Sequence, residues 1–230
     1  MDKTAVATVM AACKWRLLKS GVSFEVRRDF ANVDRLLKEI DKPYLTPRLS
    51  SEINDFTEKD AMWVILKSEG RPYGSVGARF HDIGRMNFGQ YLQETNSRHY
   101  GVKDGRALAE IAPPAQDMCA GKLAYFGDMY FHPDHRGSPA QLRDVAVLCQ
   151  SILALEWDYD YVFCFTGRRA AKVARNLDYG FSRWTRNAQT WAEPVPDGRA
   201  NSEWLLASSH DDMDHFFQSE AVKEDRQMSK

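Results

Sequence analysis

The chain has 230 residues, with 31 Lys and Arg against 32 Asp and Glu, a net charge of -1. That balance supplies no basic footprint for phosphate neutralisation and argues against a general nucleic-acid binder. Hydrophobic residues at 43% and charged residues at 27% exclude collagen-like, low-complexity and wholly disordered chains.

Residues 1–21 read as an N-terminal helix with Val9, Cys13 and Leu17 on one face. Its apolar run at 5–10 is broken by Thr8 and is shorter than the ~7–15 residues of an export signal. No stretch approaches the ~20 apolar residues of a membrane span. Cys13, Cys119, Cys149 and Cys164 form no CxxC pair and no metal-binding spacing. They read as reduced thiols of a cytoplasmic protein.

Residues 22–208 read as one domain. Positions 24–27 alternate as a strand, Val33, Leu36, Leu37 and Ile40 mark a helix, and a second short helix is expected over 50–56. Two runs, 61–67 and 73–80, form a hairpin about the turn Glu69-Gly70-Arg71-Pro72. Gly74 and Gly77 in its second strand indicate a bulge or a close approach by backbone or ligand. From 82 to 121 the periodicity fails, which points to an insertion, mobile in the free protein, with weak helical signals at 87–94 and 106–111. Order returns with a strand at 123–132, a long helix at 139–157, an aromatic-rich central strand at 161–165 and a helix at 168–177. Strands at 181–191 and 203–208 flank a turn at 194–198, and 209–230 read as a polar, exposed helix and tail.

The segment Phe131-His132-Pro133-Asp134-His135-Arg136-Gly137-Ser138-Pro139-Ala140-Gln141 carries the most information. A strand ends, a polar turn follows, and a helix starts with Ser138 as N-cap, Pro139 at its first position and Gln141 completing a capping box. The N–H groups of Gly137, Ser138, Ala140 and Gln141 cluster at the positive end of that helix, beside the Arg136 cation. Such a cluster suits an anion, phosphate above all, although an ordinary capped helix would look the same.

Strand, then hydrophobic-x-Pro-x-x-Arg-Gly, then helix resembles the acyl-CoA-binding signature of the GCN5-related N-acetyltransferases, and 131–137 match it position by position. Gly180-Phe181 resembles the family's Gly-Phe pair after the following helix. The order of elements agrees over about 24–208. The resemblance implies an α/β fold: a single-domain, mixed, mostly antiparallel sheet flanked by helices and splayed between the strands at 123–132 and 161–165. It implies acetyl-CoA or another acyl-CoA as co-substrate. Pantetheine would pair with the backbone of Met129, Tyr130 and Phe131, and the pyrophosphate would lie on Arg136, Gly137, Ser138, Ala140 and Gln141.

Two positions depart from the family pattern. Its phosphate loop has glycine where this chain has Pro139, and glycine or alanine where it has Gln141. Its usual tyrosine, which protonates the departing thiolate, is replaced by Asn176, left here as a cofactor contact. Tyr179, three residues on, is the nearest replacement acid, with core packing as the alternative. Asp128 in the signature strand is either the base that deprotonates the amine or an aspartate bonded to backbone at a bulge. His132 and His135 lack the further ligands of a metal site, and no metal is expected.

The reading is therefore an acyltransferase that moves an acyl group, acetyl first among them, from acyl-CoA to a primary amine by direct attack. The acceptor would be a small molecule or a peptide, with no nucleic acid and no membrane; a homodimer is left open. The alternatives are a domain of this type that binds acyl-CoA or a protein partner without turnover, or one that takes its acyl group from an acyl carrier protein.

Overall fold

The computed structural model describes residues 1–103, 105–135 and 138–228; Arg136 and Gly137 of the anticipated phosphate loop lie outside the described residues. Lys3–Lys19 (α1) starts at Asp2, whose carboxylate accepts from the N–H groups of Thr4 and Ala5 at 2.9 and 3.1 Å. An acidic cap at the positive end of a helix is favourable. Val22–Arg27 (β1) is followed by Phe30–Glu39 (α2), then by the hairpin of Ala61–Ser68 (β2) and Arg71–Asp82 (β3). The helix expected over 50–56 is absent. Pro47–Leu49 make one 3-10 turn, and Asn54 Nδ2 donates to the carbonyls of Pro47 and Ser50 at 2.8 and 2.9 Å. Side-chain bonds to backbone compete with the helical ladder, and here they prevail.

The segment 82–121 is packed, not loose. Phe88–His99 (α3) is capped by Asn87 and buries Phe88, Tyr91, Leu92, Thr95, Asn96 and His99 along one face. Leu108–Ile111 (β4) is a strand where a helix is expected at 106–111, and Pro113–Gln116 (α4) is a single turn. Lys122–Phe131 (β5), Pro139–Glu156 (α5), Tyr161–Thr166 (β6) and Arg168–Asn176 (α6) come next. Arg183–Thr185 (β7) and Gln189–Trp191 (β8) divide the expected strand at 181–191, and β8 leaves the main sheet to pair with β4. Trp204–Ser209 (β9) and His210–Met228 (α7) complete the described chain.

The main sheet has the order β1-β2-β3-β5-β6-β9-β7. Every neighbouring pair is antiparallel except β5 and β6. One face packs against α1, α5, α6 and α7, the other against α2, α3 and the rest of 82–121. α7 is more deeply packed than its polar sequence suggests: Met213 and Phe217 are fully buried, and Glu220 and Glu224 are buried with them. Arg143 pairs with Glu220, and Arg16 of α1 reaches Glu224 at 2.8 Å and Asp144 of α5 at 2.9 Å. These ion pairs tie both terminal helices to α5. No helix among the described residues is long and apolar enough to cross a membrane.

Candidate active site

The site begins where two strands part. β5 and β6 pair at Leu123–Tyr161, Ala124–Val162 and Tyr125–Phe163. β5 runs on to Phe131 and β6 to Thr166 without further pairing to each other. On its other side β5 carries a bulge. The register against β3 shifts between Ser75 and Gly77, so that Asp128 and Met129 together face Val76. Asp128 has a φ of 52°, a left-handed conformation that aspartate tolerates better than most residues. A bulge bends and twists its strand, and this one lies where β5 turns away from β6. Gly74 and Gly77 serve strand approach and packing here. A Cβ on Gly74 would meet the Tyr130 carbonyl, and one on Gly77 would meet Leu49 and Trp63.

Between the diverging strands lies a cavity of about 580 Å³. Gly127, Asp128, Met129 and Phe131 form one wall and Cys164, Phe165 and Thr166 the other. α6 contributes Arg169, Ala170, Val173 and Ala174, and Leu142, Tyr179, Phe181 and Leu206 complete the lining. The His132 N–H donates to the Tyr73 carbonyl at 2.7 Å, and the Tyr130 carbonyl lies against Gly74. Antiparallel alternation then turns the N–H and C=O of Phe131, and of Met129 one step back, away from β3 and toward the open side. They form a short strand edge facing an apolar cleft, able to pair with an extended amide-bearing chain. Tyr130 belongs to the opposite face, where its hydroxyl donates to the Asp41 carbonyl at 3.0 Å.

Asp128 is held from that opposite face. Its Oδ2 accepts from the Thr46 N–H at 3.0 Å and from Thr46 Oγ1 at 2.9 Å, and Lys42 Nζ lies 3.4 Å from Oδ1. Both side chains of the Lys42–Asp128 pair are almost fully buried. Sequence reasoning misses Lys42 and Thr46, because nothing in residues 41–46 marks them as partners of a strand 80 positions on. Tyr44 and Tyr100 join hydroxyls at 3.3 Å nearby, and Arg199 bonds to the Tyr100 hydroxyl and to Glu203.

The capping box of α5 is formed as the sequence suggests, with a consequence for phosphate. The Ser138 N–H donates to Gln141 Oε1 at 2.9 Å, and the Gln141 N–H donates to Ser138 Oγ at 3.3 Å. Pro139 has no N–H, so Ala140 carries the one uncommitted donor among the four described residues at this helix start. Of the four donors read from the sequence, the cap engages Ser138 and Gln141, Ala140 is free, and Gly137 lies outside the described residues. His132 has the Asp41 and Asp134 carboxylates 3.8 and 3.6 Å away, and no group of three or more potential metal ligands converges among the described residues.

α6 ends sooner than the sequence suggests. The Asp178 N–H donates to the Arg175 carbonyl at 3.2 Å and the Tyr179 N–H to the Ala174 carbonyl at 3.1 Å, with Asp178 at a φ of 53°. This is a Schellman end, so Tyr179 stands beyond the helix. Asn176 is exposed and is not part of the cleft lining. Tyr179 is 6% exposed and borders the cleft. Its hydroxyl has no hydrogen-bond partner among the described residues, and burial pushes its pKa up to about 12. It therefore carries its proton at neutral pH. Cys164 also faces the cleft, but burial raises its thiol, leaving little thiolate to act as a nucleophile.

No family model and no curated protein matches the chain. Among solved structures it is similar to an agmatine N-acetyltransferase, at 14% identity and a TM-score of 0.48 over 81% of this chain and 100% of that one. It is similar to the Drosophila melanogaster polyamine N-acetyltransferase, at 12% identity and 0.47 over 81% and 100%. It is also similar to Arabidopsis thaliana Naa50 in complex with the bisubstrate analogue CoA-Ac-MVNAL, at 10% identity and 0.42 over 82% and 99%. The strand order, the lone parallel pair and the parting of that pair give this chain the fold that the sequence resemblance implies, that of the GCN5-related N-acetyltransferases.

Proposed function

We propose that the protein transfers an acyl group from a pantetheine thioester, acyl-CoA in the simplest case, to a primary amine of a small molecule or peptide. The observation that carries this reading is the cleft between β5 and β6, apolar along its walls and edged by the unpaired backbone of Met129 and Phe131. Pantetheine is a narrow chain with two amides, and that edge can pair with them as a missing strand would. The thioester would then lie near the bulge, where backbone N–H groups of β5 hold the carbonyl oxygen as it gains charge.

The amine nitrogen attacks the thioester carbon, the C–N bond forms, and the C–S bond breaks. The departing thiolate takes a proton from the Tyr179 hydroxyl, which is protonated and uncommitted. The new amide nitrogen sheds its proton to solvent, which also restores Tyr179. Asp128 acts here as a positioning residue: Thr46 donates twice to its Oδ2, Lys42 lies against its Oδ1, and it fixes the 42–46 loop against the bulge. An acyl-cysteine on Cys164 is not part of the scheme, since its thiol is held protonated.

The test is release of free thiol from acetyl-CoA and longer acyl-CoAs in the presence of a panel of primary amines, with mass spectrometry of the purified protein for retained acyl-CoA. Amine-dependent thiol release supports the reading. Failure of every pantetheine thioester to bind would refute it.

A further inference from the structure

Across the sheet from the cleft, a second cavity of about 510 Å³ lies between β3, α3 and residues 54–55. Asn54, Arg79, His81, Tyr91 and Arg98 are in its lining. Arg48 stands behind Tyr91, donating to its hydroxyl at 2.9 Å, and is 2% exposed. Three guanidinium groups therefore meet here, and none of them forms an ion pair among the described residues. Aromatic rings offset part of the charge: Arg48 lies over Tyr91, Tyr125 and Phe163, and Arg79 over Phe56. The environment still disfavours cations. Arg79 is shifted below the usual arginine range by burial first, with Arg48 and Arg98 adding to the effect. His81 and His99 are both shifted toward the neutral form, by burial first and then by the neighbouring arginines.

Hydrogen bonding in the cluster is short of acceptors. Asn54 Nδ2 donates to the Pro47 and Ser50 carbonyls, which turns its Oδ1 toward the arginines. That one amide oxygen accepts from Arg79 Nη1 at 2.9 Å and from Arg98 Nη2 at 2.8 Å, and His99 Nε2 lies 3.1 Å from it. His99 Nε2 is also 3.0 Å from Arg98 Nη2. A ring nitrogen can donate to Asn54 or accept from Arg98, but not both. Arg79 Nε and Asn96 Nδ2 are buried donors with no partner among the described residues. Unpaired donors around cations without counter-charge call for an acceptor that carries negative charge.

We propose that this cavity binds a small organic monocarboxylate, seated on Arg79 and Arg98. A carboxylate only accepts, serves several donors at once and matches the guanidinium fork. Asp55, Asp82 and Glu94 border the same cavity, and all three are exposed. They repel phosphate and other multiply charged anions more than a single charge, so the site selects against those. Ile83 and Met86 in the lining receive the apolar part of the ligand. The two cavities share no lining residue, so the proposal is independent of the pantetheine reading.

The test is calorimetry on the whole protein, in chloride buffer, with butyrate, its neutral isostere butyramide, and inorganic phosphate. The proposal expects butyrate to bind, butyramide to give no heat, and phosphate to bind at least about tenfold more weakly than butyrate. Arg98→Gln changes an exposed side chain. It should keep the thermal midpoint and lose about tenfold or more in butyrate affinity, as expected for a charge-assisted contact. Arg79→Gln should lose affinity likewise. Without ligand it should melt at or above the parent's midpoint, because it removes a half-buried cation that has no counter-charge. No binding of butyrate to the parent, equal binding of butyramide, phosphate binding as tightly as butyrate, or unchanged butyrate binding in both variants would each overturn the proposal. Loss of butyrate binding only alongside a large fall in midpoint in both variants would make the cluster a structural polar core and overturn it too.

Discussion

Changing Tyr179 to Phe removes one oxygen atom from the wall of the cleft. That hydroxyl has no hydrogen-bond partner among the described residues, and it sits in a site 6% exposed. The hydroxyl borders the open cleft and its removal leaves the ring packing in place, so Tyr179→Phe should be as stable as the parent. If the hydroxyl protonates the departing thiolate, its loss should slow turnover by about 10²–10⁴-fold. At 1.36 kcal/mol per decade that is about 2.7–5.4 kcal/mol of transition-state stabilisation. The assay is single-turnover thiol release under saturating acyl-CoA, with affinity for the donor measured separately. A second readout isolates the role: an acyl donor with a more acidic thiol needs less help in leaving, so it should recover much of the lost rate in Tyr179→Phe. A variant that turns over like the parent with every donor would refute the assignment and leave Tyr179 as a packing residue.

Asp128→Ala should cost about 3 kcal/mol in urea unfolding, because it leaves the buried Lys42 ammonium with the Tyr44 carbonyl but no counter-charge; Asp128→Asn, which keeps an acceptor for the Thr46 N–H, should cost less. Ser138→Ala should lower stability by about 1 kcal/mol through loss of the α5 cap. His99 is neutral in the fold, its pKa brought down to about 2 by burial first and then by Arg48, Arg98 and Arg79. The unfolded chain gains a proton there below about pH 6.5 and the folded one does not, so stability should fall as pH drops through that value, by up to about 1.4 kcal/mol per pH unit. His99→Gln should flatten that slope in thermal melts.

Where one side chain or a short run decides the local structure, the sequence is readable. Ser138, Pro139 and Gln141 dictate the start of α5 on their own, and the apolar run at 161–165 marks β6 because a buried strand needs nothing else. What hides from periodicity is a buried face made of polar groups. α3 presents a regular stripe at 88, 91, 92, 95, 96 and 99, but Thr95, Asn96 and His99 fill half of it, so an apolar count passes it over. α7 hides likewise, because Glu220 and Glu224 occupy buried positions whose charges are met by Arg143 and Arg16 from distant helices, with Lys223 of α7 also pairing Glu220. The cleft residues Met129, Phe131 and Tyr179 are legible as candidates. The engagement of the Ser138 and Gln141 donors, the exposure of Asn176 and the tie from Asp128 to Lys42 and Thr46 are not, because each depends on geometry across the fold. Asp178 in the left-handed conformation ends α6 without the glycine that would have announced it.

The central claim is that a pantetheine chain lies between β5 and β6, and blocking that space tests it most directly. Ala170 lines the cleft from α6 and is exposed to solvent, so Ala170→Trp can fill the opening without overpacking the core. Calorimetry with acetyl-CoA and with S-acetyl-pantetheine should show both ligands binding the parent, and both weakened at least tenfold in Ala170→Trp while its thermal midpoint is kept. Unchanged binding of either ligand to the blocked protein would contradict the account.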